Sequence, residues 1–291
     1  MTGGGPVWNR GMTMYKITNI EYGIGPWGTE MLYGAEIGNP APGQTENNIH
    51  SFTLLEGNGH KILVDTGIDT DDKVKDELWK SFGQNINGTT KGLGLVGLTY
   101  EDIDTVIITH AHIDHIGAIS RFPNAHFYMQ QHEFEEWERM VADEHYAQVT
   151  LPATFPPDYP VIRKMVDEGK ITLLNGDVIN LLPDINIHCV YECHSVVEQL
   201  VIVKTAGCEY IIAGDVACRP ANLVGHDKFN GCLVPILGRS GSAHRVIEAY
   251  NWILDRVKGD VNKVILTHDV TLNDRFETVG EPGLALHYIV K

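Results

Sequence analysis

Between residues 109 and 118 the chain reads THAHIDHIGA, which places His110, His112, Asp114 and His115 within six residues. No packing requirement calls for three imidazoles and a carboxylate so close together, because each buried polar group needs its own hydrogen-bond partner. Such a set is suited to divalent cations. Neutral imidazole is a borderline ligand, and a carboxylate can bridge two ions held about 3.5 to 4 Å apart. Alternation along an extended segment puts His110 and His112 on one side, and a turn toward a helix at Ile116 re-aims Asp114 and His115. One loop can therefore serve two metals.

The elements that must position this loop are legible as short apolar runs. Strands are predicted at Phe52 to Leu55, Ile62 to Val64, Val106 to Ile108, Ala125 to Met129, Ile171 to Leu174, Leu200 to Val203, Ile211 to Ala213 and Val264 to Leu266. Several are too continuous to be half-solvated. Helices are predicted between them: Ala243 to Val257, with Val246, Tyr250, Ile253 and Val257 at helical spacing and Gly259 as the stop; a stripe of Val74, Leu78 and Phe82 after a cap at Asp69 or Thr70; and a third stripe of Phe134, Trp137 and Val141. Four strand segments deliver a metal-competent side chain just past their ends. TVIIT ends at His110, INIHCVYEC at His194, EYIIAG at Asp215 and KVILT at His268. Ligand sites in α/β proteins gather at that edge, where loops vary while strands hold them in place.

This arrangement resembles the metallo-β-lactamase superfamily, whose motif His-X-His-X-Asp-His stands here as His110 to His115. The resemblance extends to Asp65-Thr66-Gly67 after KILV, to AGD at Asp215 and to THD at His268, covering roughly residues 48 to 272. It implies an α/β fold of the αββα four-layer sandwich type, with the site at one edge of the two sheets. It also implies that His110, His112 and His194 hold one ion, Asp114, His115 and His268 a second, and that Asp215 bridges them. Asp65 is then a supporting carboxylate that orients a ligand; the plainer reading is a turn without a link to the metal.

Residues 1 to 13, MTGGGPVWNRGMT, read as a flexible arm that either stays free or reaches across a homodimer interface, and residues 14 to 291 read as a single domain. The formal charge of -16 repels phosphate backbones and argues against nucleic acid as a partner. No apolar run approaches the roughly 20 residues of a membrane span. Five cysteines, an odd number without a signal segment, fit a reducing cytoplasmic compartment.

Two divalent ions, zinc first with manganese, iron or cobalt as alternatives, can lower the pKa of a shared water from 15.7 to about 7. The expected reaction is attack of that hydroxide on an ester-like carbonyl, with Asp114 as the catalytic group that moves a proton to the leaving oxygen. The motif arrangement looks most like the N-acyl homoserine lactonase branch, so the expected substrate is a small-molecule lactone. Two positions depart from that branch: Glu192-Cys193-His194-Ser195-Val196-Val197 replaces its Pro-Gly-His-Thr-X-Gly, and Cys218 stands where some members have a tyrosine. Acyl homoserine lactone itself stays open on these grounds. Cys218, Arg239 and His244 are candidate substrate contacts, and Tyr22, Trp27, Tyr33 or Trp137 candidate pocket walls. Rival readings keep the fold and change the bond to a thioester, β-lactam or phosphodiester, replace hydrolysis by di-iron redox chemistry, or make the chain a non-catalytic scaffold.

Overall fold

The structure, a computed structural model, describes residues 15–33, 39, 41–143, 154–205, 208–225 and 241–291. The chain first forms β1 (Lys16–Gly28), β2 (Thr45–Gly57), β3 (His60–Val64), β4 (Asn85–Ile86), β5 (Thr105–Ile107), β6 (His126–Gln130) and β7 (Ile171–Leu174). It continues through β8 (Val178–Leu182), β9 (Ile185–Tyr191), β10 (Val197–Thr205), β11 (Cys208–Ile212) and β12 (Val264–Ile265), then returns with β13 (Glu277–Glu281) and β14 (Leu284–Val290). A nine-stranded sheet has the order β13-β14-β1-β2-β3-β5-β6-β7 with β4 on β1, and a five-stranded sheet has the order β12-β11-β10-β9-β8. Each of the predicted apolar runs overlaps one of these strands. The proposed arm at residues 1 to 13 lies outside the described residues.

Side-chain alternation explains why those runs are continuous. Val106 and Ile108 point to the helix-covered face of the large sheet, while Ile107 between them points to the other sheet. On β10, Leu200 and Ile202 face outward helices, and Val201 and Val203 face the large sheet. A strand buried on both faces has no polar side to show. Three apolar layers result. One lies under the helices Lys73–Ser81, Gly88–Leu95, Gln131–Ala142 and Asp158–Asp167; one lies between the sheets; one lies under the helix Ala243–Val257. The order of layers is α, β, β, α, as the motif resemblance implied.

The helix Ala243–Val257 has the bounds read from its spacing, with the Ser242 side chain accepting from the Arg245 N–H at its start and Lys258 and Gly259 in the left-handed region at its end. The helix Lys73–Ser81 corrects its expectation. Its cap is Asp72, and Val74 and Phe82 are exposed, while Lys75 and Trp79 are buried. The reason is an ionic anchor: the Lys75 ammonium donates to Asp158 and to the Gly117 carbonyl, each at 2.6 Å, and this turns the helix away from its apolar stripe. No helix among the described residues is long and apolar enough to cross a membrane.

At one edge the sheets are stitched together by Gln199. Its backbone N–H donates to the Thr109 carbonyl at 2.9 Å and its side-chain amide to the Ile108 carbonyl at 2.6 Å. This draws the end of β5 against β10 where the histidine loop begins. Ile187, 1% exposed between the sheets, should cost about 2 to 5 kcal/mol when truncated to alanine, read as a lowered urea midpoint at unchanged slope.

Candidate metal centre

Strands β5, β9, β11 and β12 end at residues 107, 191, 212 and 265, and His110, His194, Asp215 and His268 each stand three positions later. The remaining ligand candidates follow from a change of direction. His112 precedes the short helix Ile113–Ile116 in extended conformation, and Asp114 and His115 ride its first turn. A helical step of about 100° per residue sends them away from His110 and His112.

Two groups form as a result. His110, His112 and His194 bring one nitrogen each within 4.8 Å of the others, and Asp114, His115, Asp215 and His268 do the same with four ligand atoms. In the first group, His112 Nδ1 lies 2.9 Å from His110 Nε2 and 3.0 Å from His194 Nε2. Nitrogens at about 2.0 to 2.1 Å from one tetrahedral ion sit roughly 3.3 Å apart, so this set is close enough to share one divalent ion. Asp215 touches both groups: Oδ2 is 3.5 Å from His194 Nε2 and 3.0 Å from His268 Nε2, and Oδ1 is 3.4 Å from His115 Nε2. Neither Asp215 Oδ1 nor His115 Nε2 has a hydrogen-bond partner although both are buried. A cation between them would satisfy both. The donor set and these two atoms fit a pair of divalent ions.

Charge in this space is shared among neighbours. Burial alone would push the carboxyls of Asp114 and Asp215 up, but His115 and His268 beside them hold both well below the usual range. Burial would likewise lower the imidazoles of His115 and His268. The carboxylates Asp215, Asp65 and Asp114 overcome it at His115, and Asp215 with Asp114 raises His268 to about 9. At His110 the compensation is too weak; burial, then the neighbouring imidazoles, outweighs Asp215 and keeps it well below its ordinary value and neutral. The second group thus attracts positive charge, and the first presents lone pairs.

Asp65 follows β3 in the left-handed region at φ 67° and accepts from His115 Nδ1 at 2.8 Å and from the Thr109 N–H at 2.7 Å. It turns the His115 ring so that Nε2 faces Asp215. The Thr66 N–H and hydroxyl both donate to the His115 carbonyl. A side chain at Gly117 would meet the Ile113 carbonyl at 2.4 Å and the Gly67 carbonyl of the Asp-Thr-Gly turn at 3.1 Å, so the close approach of the two segments requires glycine. His268 is oriented by its Nδ1 on the Ile49 carbonyl at 2.7 Å, and the buried Arg219 guanidinium donates to the His268 carbonyl and to Asn48.

The substrate contacts read from sequence fare differently. Cys218 is buried in the apolar cluster under the helix Ala243–Val257, its thiol pushed up by burial. His244 is not brought into either group: its side chain is 80% exposed and meets Glu248 one turn along its own helix. Arg239 lies outside the described residues. Of the aromatic candidates, Trp27 is partly exposed with its ring 4.7 Å from His268, whereas Tyr22 donates to the Asp114 carbonyl, Trp137 packs 5.0 Å from His112 and Tyr33 is tied to Glu46.

Several residues at the site escape sequence reasoning. His50 is fully buried, with Nδ1 3.5 Å from Asp114 Oδ2. Glu198 is fully buried behind His110, its Oε1 3.4 Å from His110 Nδ1, with burial and then Asp215 holding its carboxyl well above the usual range. Glu133 is also fully buried and pushed up by burial to about 7. The available signal was a carboxylate inside an apolar run, in VEQLVIV for Glu198, and one helical turn before Trp137 for Glu133.

Residues 46–268 match the sequence profile of the metallo-beta-lactamase superfamily, and the chain belongs to that superfamily. Among curated proteins it is 32% identical over 93 residues to N-acyl homoserine lactonase AttM of Azorhizobium caulinodans, a match spanning 29% of this chain and 35% of that protein. The fold is shared with an N-acyl homoserine lactone hydrolase solved with N-hexanoyl-L-homoserine at its catalytic metal centre (TM-score 0.66, 20% identity, 91% of this chain and 98% of that one). It is also shared with AidC, a dizinc quorum-quenching lactonase (TM-score 0.67, 15% identity, 96% and 95%), and with a probable metal-dependent hydrolase of Staphylococcus aureus (TM-score 0.68, 17% identity, 89% and 90%).

Because His268 is raised to about 9, it carries a proton at pH 7 in the metal-free protein and must release it to become a ligand. Zinc uptake at pH 7 should therefore release protons, and affinity should climb as pH rises from 7 through about 9. Calorimetry in buffers of differing ionisation enthalpy reads this; uptake without proton release would contradict it. The same raised value contributes stability to the metal-free fold that is complete below the unfolded value of about 6.5 and is lost as pH rises through about 9.

Proposed function

We propose that the protein is a two-metal hydrolase that opens a small-molecule lactone. In this reading His110, His112 and His194 hold one ion, Asp114, His115 and His268 the other, and Asp215 lies between them. The observation that carries it is the position of Asp215, within 3.5 Å of a histidine nitrogen from each group. Zinc suits five imidazoles and two carboxylates, with manganese, iron or cobalt admitted by the same donors. When bound, such a pair supplies hydroxide at neutral pH and polarises an ester carbonyl.

The chain's own residues then have distinct tasks. His194 and Asp114 have side chains 11% and 9% exposed, whereas the His110, His115 and His268 side chains are sealed, so the reacting groups meet the site beside the first two. Asp114, at the exposed side of the site, can take a proton from the attacking water and return it to the leaving alkoxide. In a lactone that alkoxide stays tethered to the acid, so one carboxylate at the mouth suffices for both transfers. Trp27 beside His268 offers an apolar wall for the substrate. Support for the ester bond comes from the family and its lactonase relatives, and the net charge of -16 disfavours polyanionic phosphodiesters.

Metal-loaded protein offered lactones, thioesters, β-lactams and phosphodiesters should show its highest kcat/KM on a lactone; a preference for any other class sinks the proposal. Asp114→Asn should lower kcat by about 10² to 10⁴ with a smaller change in KM. Asp215→Ala should lose both bound metal, by elemental analysis, and turnover, and a variant retaining both would remove Asp215 from the bridging role.

A further inference from the structure

Glu133 sits in the helix Gln131–Ala142 and holds neither a ligand position nor a place at the mouth of the site. Its two carboxylate oxygens nevertheless collect donors from two separate loops. Oε1 accepts from the Ala111 N–H at 2.8 Å and from the Ser195 hydroxyl at 2.5 Å, and Oε2 accepts from the Val197 N–H at 2.7 Å. Ala111 separates His110 from His112, and Ser195 follows His194. One side chain thus grips the two loops that carry the whole first histidine group.

Neighbouring contacts extend the grip. Trp137, one turn along the helix, donates Nε1 to the Ser195 hydroxyl at 2.8 Å and lays its ring 5.0 Å from His112. The Tyr159 hydroxyl donates to the Ala111 carbonyl at 2.9 Å, so both backbone groups of Ala111 are held. Among the described residues no lysine, arginine or histidine comes within ion-pair distance of Glu133. A buried carboxylate without a counter-charge is expensive, and an apolar residue would fill a helix–sheet contact at lower cost. The second group is braced by other residues: Asp65 on His115, the Ile49 carbonyl on His268 and Tyr22 on the Asp114 backbone.

We infer that Glu133 is a positioning residue that sets the spacing of His110, His112 and His194 and so governs the affinity of the first metal position, leaving the second position unaffected. The inference rests on the two-metal reading of the site. Its physical basis is that a ligand set is only as good as its fit, and a backbone N–H held at 2.8 Å leaves the rings on either side little room to spread.

Glu133→Gln isolates the effect, since the amide keeps the volume but exchanges one acceptor for a donor. Whichever way the amide lies, one loop faces an NH2 group where it had an oxygen. Zinc titration of metal-free protein against a chromophoric chelator should give two equivalents in the parent. In E133Q one equivalent should bind as before and the other about 10 to 100-fold more weakly. Cobalt absorption should change for the weakened position alone. Circular dichroism and thermal unfolding of the metal-free variant establish that it folds. Should E133Q not fold, Ser195→Ala, which removes one donor, carries the test with a smaller loss at one position. Two unchanged affinities, or equal weakening of both, overturns the inference in either variant. Fewer than two equivalents in the parent instead refutes the two-metal reading, and is read before any variant.

Discussion

Five imidazoles and two carboxylates share one buried space, and their mutual charge compensation is the constraint on which the rest of the structure depends. Burial alone would neutralise Asp114 and Asp215 and discharge His115 and His268, yet each pair keeps the other ionised. That balance holds only while the groups stay within about 3 to 4 Å, because Coulomb attraction and the hydrogen bonds between the same groups, both strong only at contact, offset desolvation. A cation in place of the shared protons satisfies the same carboxylates. The surrounding fold can be read as the means of holding seven side chains at that distance.

Two rigid sheets meet this demand. Strand ends project His110, His194, Asp215 and His268 to a common edge, and the inter-sheet core, with Ile107, Ile187 and Val201, prevents one edge from sliding past the other. Smaller devices then aim each ring. Asp65 accepts a left-handed backbone so that one carboxylate reaches both Thr109 and His115, and Gly117 lets the histidine helix press against the Asp-Thr-Gly turn. Arg219 ties the His268 loop to β2 from behind. These are local strains and buried charges, tolerated because the scaffold around them is over-determined.

Much of this is legible in the sequence. Continuous apolar runs identify strands buried on both faces, and the His-X-His-X-Asp-His spacing identifies both the candidate ligands and the turn that divides them. The helix Ala243–Val257 announces itself through its cap, its spacing and its glycine stop. The helix Lys73–Ser81 does not, because Lys75 is drawn inward by Asp158, a residue 83 positions away that no local pattern connects to it. His50, Glu133 and Glu198 escape for the same reason: their partners Asp114, Ala111 and His110 lie in segments that no local pattern connects to them.

The sequence by itself determined which side chains can bind metal and the order in which strands deliver them, and its motif resemblance implied the layered architecture. Residue type and periodicity are local properties, and they survive in one dimension. Only the tertiary structure decided how Asp215 comes within reach of both histidine groups, which buried carboxylates stand behind them, and that His244 turns to solvent. Those outcomes depend on distances between segments far apart in the chain, which are set when two sheets close on a common core and not by any segment alone.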